Sequence, residues 1–162
     1  MQTFLPIEDF EMSAKTLDNK RLGKQRVEVL QILQALIEGV GWKHHPATKM
    51  WQQNTNALIR YGQAICDEWT ARGFIDTVKD KILKYYDPSK TAEVPVWFGR
   101  DEFHASHRSN LLRKDKEFYS KEFDDPDNLP YCWPTFTCGR WCLRFKHAGA
   151  PKYEPHVIEL QS

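Results

Sequence analysis

The chain has 162 residues, with 23 Lys+Arg against 22 Asp+Glu for a formal net charge of +1, and 41% of its residues are hydrophobic. This length and apolar content suit one folded domain with a buried core and exclude a disordered chain. The near-neutral total means that any affinity for nucleic acid must come from segregated charge, and no apolar run approaches the roughly twenty residues of a membrane-spanning helix.

In chain order, the first predicted helix begins near Ile7 or Glu8, just after Pro6, where Glu8 and Asp9 suit a helix N-terminus. A basic helix follows from Asp18, its expected N-cap, to Gly39 and Gly41. Leu22, Val29, Leu33 and Leu36 recur at steps of seven, four and three and form its apolar stripe, while Arg21, Lys24, Gln25 and Glu28 lie on another side. Lys15, Lys20, Arg21, Lys24 and Arg26 stand against a single acid, Asp18, in a stretch of twelve residues. One face can bury while the other meets phosphates.

The next helix is predicted from Pro46 to Gly73, with Trp51, Leu58, Tyr61, Ile65 and Trp69 as a core stripe. His44 and His45 immediately precede it, where free backbone N–H groups favour an anion, so they are candidates for positioning phosphate or donating a proton. A shorter helix, Phe74 to Tyr86, closes at Asp87 and Pro88, and Ser89 to Pro95 reads as a loop.

Asp101 caps a further helix reaching about Lys116 that carries a second cluster, His104, His107, Arg108, Asn110, Arg113 and Lys114. His104, His107 and Arg108 share one face, and Asn110 and Lys114 another. That density of donors fits a clamp on a nucleic-acid backbone with base contacts. From Asp124 onward, prolines at 126, 130, 134, 151 and 155 preclude long helices. The expected tail is irregular, with a short extended pair near Phe136 and Leu143 and with Trp133 either stacking on a base or anchoring the tail to the core. These elements read as a chain almost wholly helical in its first two thirds, a single domain over 1–162 with an irregular tail from about 124.

Cys66, Cys132, Cys138 and Cys142 contain no C-x-x-C pair. Cys138, Cys142 and His147 form at most a partial zinc set without a fourth ligand, and a metal reading of His104 and His107 lacks a carboxylate partner. No metal and no cofactor are expected, and the thiols are read as reduced. The N-terminal MQTFLPIEDF lacks the basic-then-apolar order of a signal peptide. A cytoplasmic monomer without membrane attachment is the expectation.

The run LDNKRLGKQRVEVLQIL, followed by GWKHHPATKMWQQNTNALIRYGQAICDEWTARGF and then by HASHRSNLLRKD, resembles the pyrimidine dimer DNA glycosylase family, the phage endonuclease V type, and most closely a bacterial and phage branch of it. The resemblance implies a compact all-α fold, a basic face on duplex DNA, extrusion of a nucleotide and cleavage of a glycosidic bond. It also implies attack by the N-terminal α-amine on the sugar C1′ to give a Schiff base, helped by a glutamate on the basic helix, with arginines nearby on phosphates. Arg21 or its neighbour, and Arg26, match the family's basic positions. The glutamate position falls on Gly23, so Glu28, about one turn further on, or Glu8 or Asp9 from the preceding helix, takes the acid's place. Position two is Gln2, where the family exposes a small residue after loss of Met1, so the expected amine nucleophile is displaced by one residue, to Met1, or absent.

From these residues the expected function is release of a damaged or modified pyrimidine from duplex DNA, with Glu28, Glu8 and Met1 as catalytic candidates and a weak lyase step. Lys20, Arg21, Lys24, Gln25, Arg26, His44, His45, His104, His107, Arg108, Asn110, Arg113, Lys114 and Trp133 are the DNA-binding candidates. A non-catalytic DNA-binding protein and a nucleoside or nucleotide N-glycosidase stand as alternatives.

Overall fold

A computed structural model describes residues 1–161. The chain divides into two compact units, one formed by Met1–Phe4 and Asp9–Pro95, the other by Leu5–Glu8 and the chain from Val96 onward.

The first unit is helical. Helix α1 spans Phe10–Thr16 and starts where the Asp9 carboxylate accepts the Met12 N–H at 2.7 Å. Helix α2 spans Asn19–Ile37, and its Asp18 cap accepts the Arg21 N–H at 3.1 Å. Leu22, Val29 and Leu33 of the expected stripe are buried along it together with Ile32, whereas Leu36 is only half-buried. The helix expected from Pro46 to Gly73 is two elements, α3 (Pro46–Lys49) and α4 (Thr55–Ala71). Between them the chain turns at Asn54, whose φ of −132° and ψ of 46° leave the helical region, and the Trp51 indole is buried on the way. Asn side chains compete with the backbone for hydrogen bonds, which makes such a break inexpensive. Helix α5 is only Lys79–Leu83, because the Asp76 carboxylate accepts the Lys79 N–H at 2.8 Å and so starts it later than Phe74.

The second unit overturns the all-α expectation. It holds α6 (Asp101–Lys114) and α7 (Lys116–Tyr119), and then a three-stranded antiparallel sheet, β1 (Tyr131–Thr137), β2 (Arg140–Lys146) and β3 (Val157–Glu159), in the order β1-β2-β3. The tail from 124 is therefore not irregular throughout, and the protein is mixed α and β. Cys138 and Gly139, both at positive φ (52° and 76°), close the β1–β2 hairpin as a two-residue turn whose twist matches its strands. Pro134 lies inside β1 opposite Leu143. A proline without an N–H is tolerated there because β1 is an edge strand.

Among the described residues no helix is long and apolar enough to cross a membrane, and no group of three or more His, Cys, Asp or Glu is placed to hold a metal ion. Burial pushes the Cys66 and Cys132 thiols up to about 12, which keeps both protonated at neutral pH.

Candidate active site on the basic helix

Helix α2 turns two side chains, Gln25 and Glu28, toward the extended segment Met1–Phe4. Both are buried, at 1% and 6% exposure. Gln25 Nε2 donates to Gln2 O and to Glu28 Oε2, each at 2.7 Å, and Gln25 Oε1 accepts from the Phe4 N–H at 2.9 Å and from the Tyr61 hydroxyl at 2.7 Å. The amide thus uses both of its ends. Glu28 Oε2 also faces the backbone nitrogen of Gln2 at 3.5 Å, and its Oε1 lies 3.6 Å from the ammonium of Lys24.

The other side of the Met1–Phe4 segment is closed by the residues around α3. Trp51 Nε1 donates to Thr3 Oγ1 at 3.1 Å. His45 caps α3 with its own ring, Nδ1 accepting the Ala47 N–H at 3.1 Å, so the open helix start expected to receive an anion is already filled by a side chain. Burial, and then the positive charge of the amino terminus, hold the His45 ring below its ordinary pKa. Burial, reinforced by the Glu28 charge, raises the Tyr61 phenol well above its usual range and keeps it a hydroxyl whose single proton lies between Gln25 Oε1 and Phe4 O, the latter at 2.8 Å.

Gly23 sits where α2 packs closely on Trp69. A Cβ built there would stand 3.0 Å from the indole ring of Trp69. The turn of α2 that carries residue 23 is packed against an aromatic face, whereas Glu28 points to the Met1–Phe4 segment.

The remaining candidates separate by burial. Lys20 is exposed, and the side chain of Lys24 is 71% exposed. Arg21 is held by Asp18 at 2.8 Å, and Arg26 by Asp76 at 2.6 Å with its guanidinium over the Trp69 ring. Both arginines are thus engaged inside the protein. His44 is exposed, while Met1 and His45 are half-buried.

The second basic cluster faces inward and does not present a row of donors. His104 and His107 are buried. The Gly99 N–H donates to His104 Nε2 at 2.9 Å, which leaves Nδ1 to donate to Leu5 O at 2.7 Å, and the Leu5 N–H donates to His107 Nδ1 at 3.0 Å. Both rings are neutral, with pKa lowered chiefly by burial and, for His107, lowered well below the ordinary value. Arg108 forks onto Asp125 at 2.7 and 3.0 Å and donates to Pro6 O at 2.9 Å. Asn110 accepts the Tyr131 hydroxyl at 3.1 Å, Arg113 donates to Asp127 O and Leu129 O, and buried Trp133 stacks near Tyr131. Of the cluster, Lys114 is exposed. Glu8, also exposed, belongs to the second unit with α6, whereas Glu28 belongs to the first.

Sequence reasoning read Tyr61 only as core and gave Trp42 no role. A buried tyrosine requires a partner for its hydroxyl, and that requirement was the signal available for Tyr61.

Glu28 is thus a buried carboxylate fixed by an amide, with the Lys24 ammonium beside it. A family model described as pyrimidine dimer DNA glycosylase matches residues 1–82, just over half of the 162-residue chain, and the chain belongs to that family. The family name implies DNA glycosylase activity and a DNA substrate. No curated protein and no solved structure matches the chain.

Proposed function

We propose that the protein is a DNA N-glycosylase that releases a damaged or modified pyrimidine from duplex DNA by hydrolysis, with Glu28 as its catalytic carboxylate. The observation that carries this reading is the buried Glu28 carboxylate, held at 2.7 Å by Gln25 on the helix of the family match. In the proposed reaction the C1′–N bond breaks and its electron pair leaves with the base. Glu28 stabilises the positive charge that develops on the sugar and takes a proton from the attacking water, whose oxygen bonds to C1′. The base acquires its proton from solvent. Extrusion of the nucleotide costs a few kcal/mol, least at a damaged pair, which supplies part of the selectivity.

Lys20 and Lys24 hold phosphates in this reading, whereas Arg21, Arg26, Arg108 and Arg113 keep the protein's own shape. Hydrolysis is favoured over the Schiff-base route because the nitrogen facing Glu28 is the peptide nitrogen of Gln2, whose lone pair is delocalised into the carbonyl. The test is incubation with a panel of duplexes carrying single damaged or modified pyrimidines, scoring free base, abasic site and strand scission separately. Free base with an intact abasic strand is the expected product. Binding without release from any duplex would leave a DNA-binding protein, and release from free nucleosides alone would make it a nucleoside hydrolase.

A further inference from the structure

Trp42 is the one exposed tryptophan among the described residues, at 61%, whereas Trp51 and Trp97 are wholly buried and Trp133 and Trp141 are each 7% exposed. It stands in the GVGWKHH loop between α2 and α3, where Gly39 and Gly41 both adopt positive φ (70° and 71°) and lift the chain off the end of the helix. Val40 beside it is half exposed, and Lys43, His44 and Lys49 around it are exposed. The indole meets the His45 ring edge to face at a centroid distance of 6.2 Å. His45 in turn caps α3, just beyond which Trp51 donates to Thr3 in the segment that faces Glu28. Trp42 thus stands on the α3 side of the Met1–Phe4 segment, whose Gln2 nitrogen faces Glu28.

We propose that Trp42 is a base-stacking residue, laying its indole on a nucleobase left without a neighbour when the target nucleotide leaves the duplex stack. The inference rests on the glycosylase reading and names a positioning residue for it. Three properties of the loop point to a nucleobase as the occupant. The indole offers a large flat π-face, to which any base is complementary without regard to sequence. The lysines beside it supply the charge that holds a nucleic-acid backbone. The side chain is displayed on a loop of few constraints, although the same sequence buries four other tryptophans. A wedge of this kind fills the gap in the stack and makes extrusion of the neighbouring nucleotide less costly.

The test uses the full chain and a duplex with a central tetrahydrofuran abasic analogue, alongside the same duplex undamaged. Binding to the abasic duplex should quench tryptophan emission in the wild type. Trp42→Phe should lose that quench yet keep its affinity within about threefold, and Trp42→Ala should bind the abasic duplex about tenfold more weakly, with a smaller effect on the undamaged one. Equal affinity of Trp42→Ala and wild type for the abasic duplex, or a quench that persists in Trp42→Phe, overturns the stacking role while leaving the glycosylase reading standing. Failure of the wild type itself to bind either duplex overturns both.

Discussion

The Gln25 side-chain nitrogen lies 2.7 Å from Glu28 Oε2, one turn away on the same helix, and the same nitrogen holds Gln2 O at the same distance. One amide therefore orients both the carboxylate and the extended segment it faces. In the proposed reaction Gln25 is a positioning residue, and Glu28 acts on the sugar.

Replacing the carboxylate while keeping its shape separates chemistry from binding. Glu28→Gln should lower the rate of base release by a factor on the order of a hundred or more, with duplex affinity held or increased. Single-turnover assays on a cleavable duplex, paired with anisotropy titrations, measure the two quantities. Undiminished release would move the acid's role to Glu8 or Asp9.

Gln25→Leu removes the partners of the Phe4 N–H and Gln2 O, both in buried surroundings. Each unsatisfied backbone group costs about 1–3 kcal/mol, so a loss of about 2–5 kcal/mol and a fall in Tm of roughly 5–15 °C are expected. Thermal melts and urea titrations check this, and a Tm within about 2 °C of wild type would contradict the network's structural weight.

The lysines and arginines of α2 should behave differently. Lys20→Ala and Lys24→Ala should each reduce the slope of log K against log salt by about one, as a lost phosphate contact does. Arg21→Ala and Arg26→Ala should leave the slope in place and lower stability, since Asp18 and Asp76 already hold these side chains. Titrations at several KCl concentrations distinguish them. A slope unaltered by Lys24→Ala would take this face away from the DNA.

Acid should weaken the fold through its neutral histidines. His45, His104 and His107 all have folded pKa values depressed below the ordinary 6.5. Below that value the unfolded chain binds protons that the folded chain refuses. Stability is thus full above about pH 6.5 and falls below it by up to about 1.4 kcal/mol per pH unit for each such ring, until its folded pKa is reached. Urea denaturation at pH 7.5, 6.5 and 5.5 measures the loss. His107→Gln should be less stable at pH 7.5 but show a shallower decline toward pH 5.5, and a decline as steep as wild type would remove His107 as its source.

Borohydride added during incubation with an abasic duplex should trap little covalent complex with the chain that carries Met1. A chain starting at Gln2, released from a cleavable leader, presents a primary amine at the position that faces Glu28 and should trap efficiently. Mass mapping of the adduct identifies the nitrogen used. Efficient trapping on residue 1 would contradict the hydrolytic route.

Helix α2 was legible in the sequence because its cap, its period and its basic face are all local signals, and Asp18, Leu22, Val29 and Leu33 stand where the pattern puts them. The hairpin was half legible. Phe136 and Leu143 marked an extended pair, but Pro134 and the later prolines argued against a sheet, since nothing local reveals that β1 lies at an edge. The placement of the histidine cluster was not legible for a related reason. His104, His107, Arg108 and Arg113 carry donors that serve DNA or the protein's own carbonyls equally well, and only the path of Leu5–Glu8 and of the 125–131 segment decides between them. Glu28 was visible as a polar residue on the helix, yet its meeting with Gln2 depends on contacts spanning 26 residues.

Gln25 does for the Met1–Phe4 segment what one residue of a neighbouring parallel strand would do, donating to the carbonyl of Gln2 and accepting from the N–H of Phe4 on either side of Thr3. A strand held at a single rung has its register metered at that rung. Inserting or deleting one residue within the segment would slide everything before the rung by about 3.3 Å and exchange the faces of its side chains. The distance from Thr3 to the first atoms of the chain is therefore set by a side chain of α2, acting as a ruler for a segment with no secondary structure of its own.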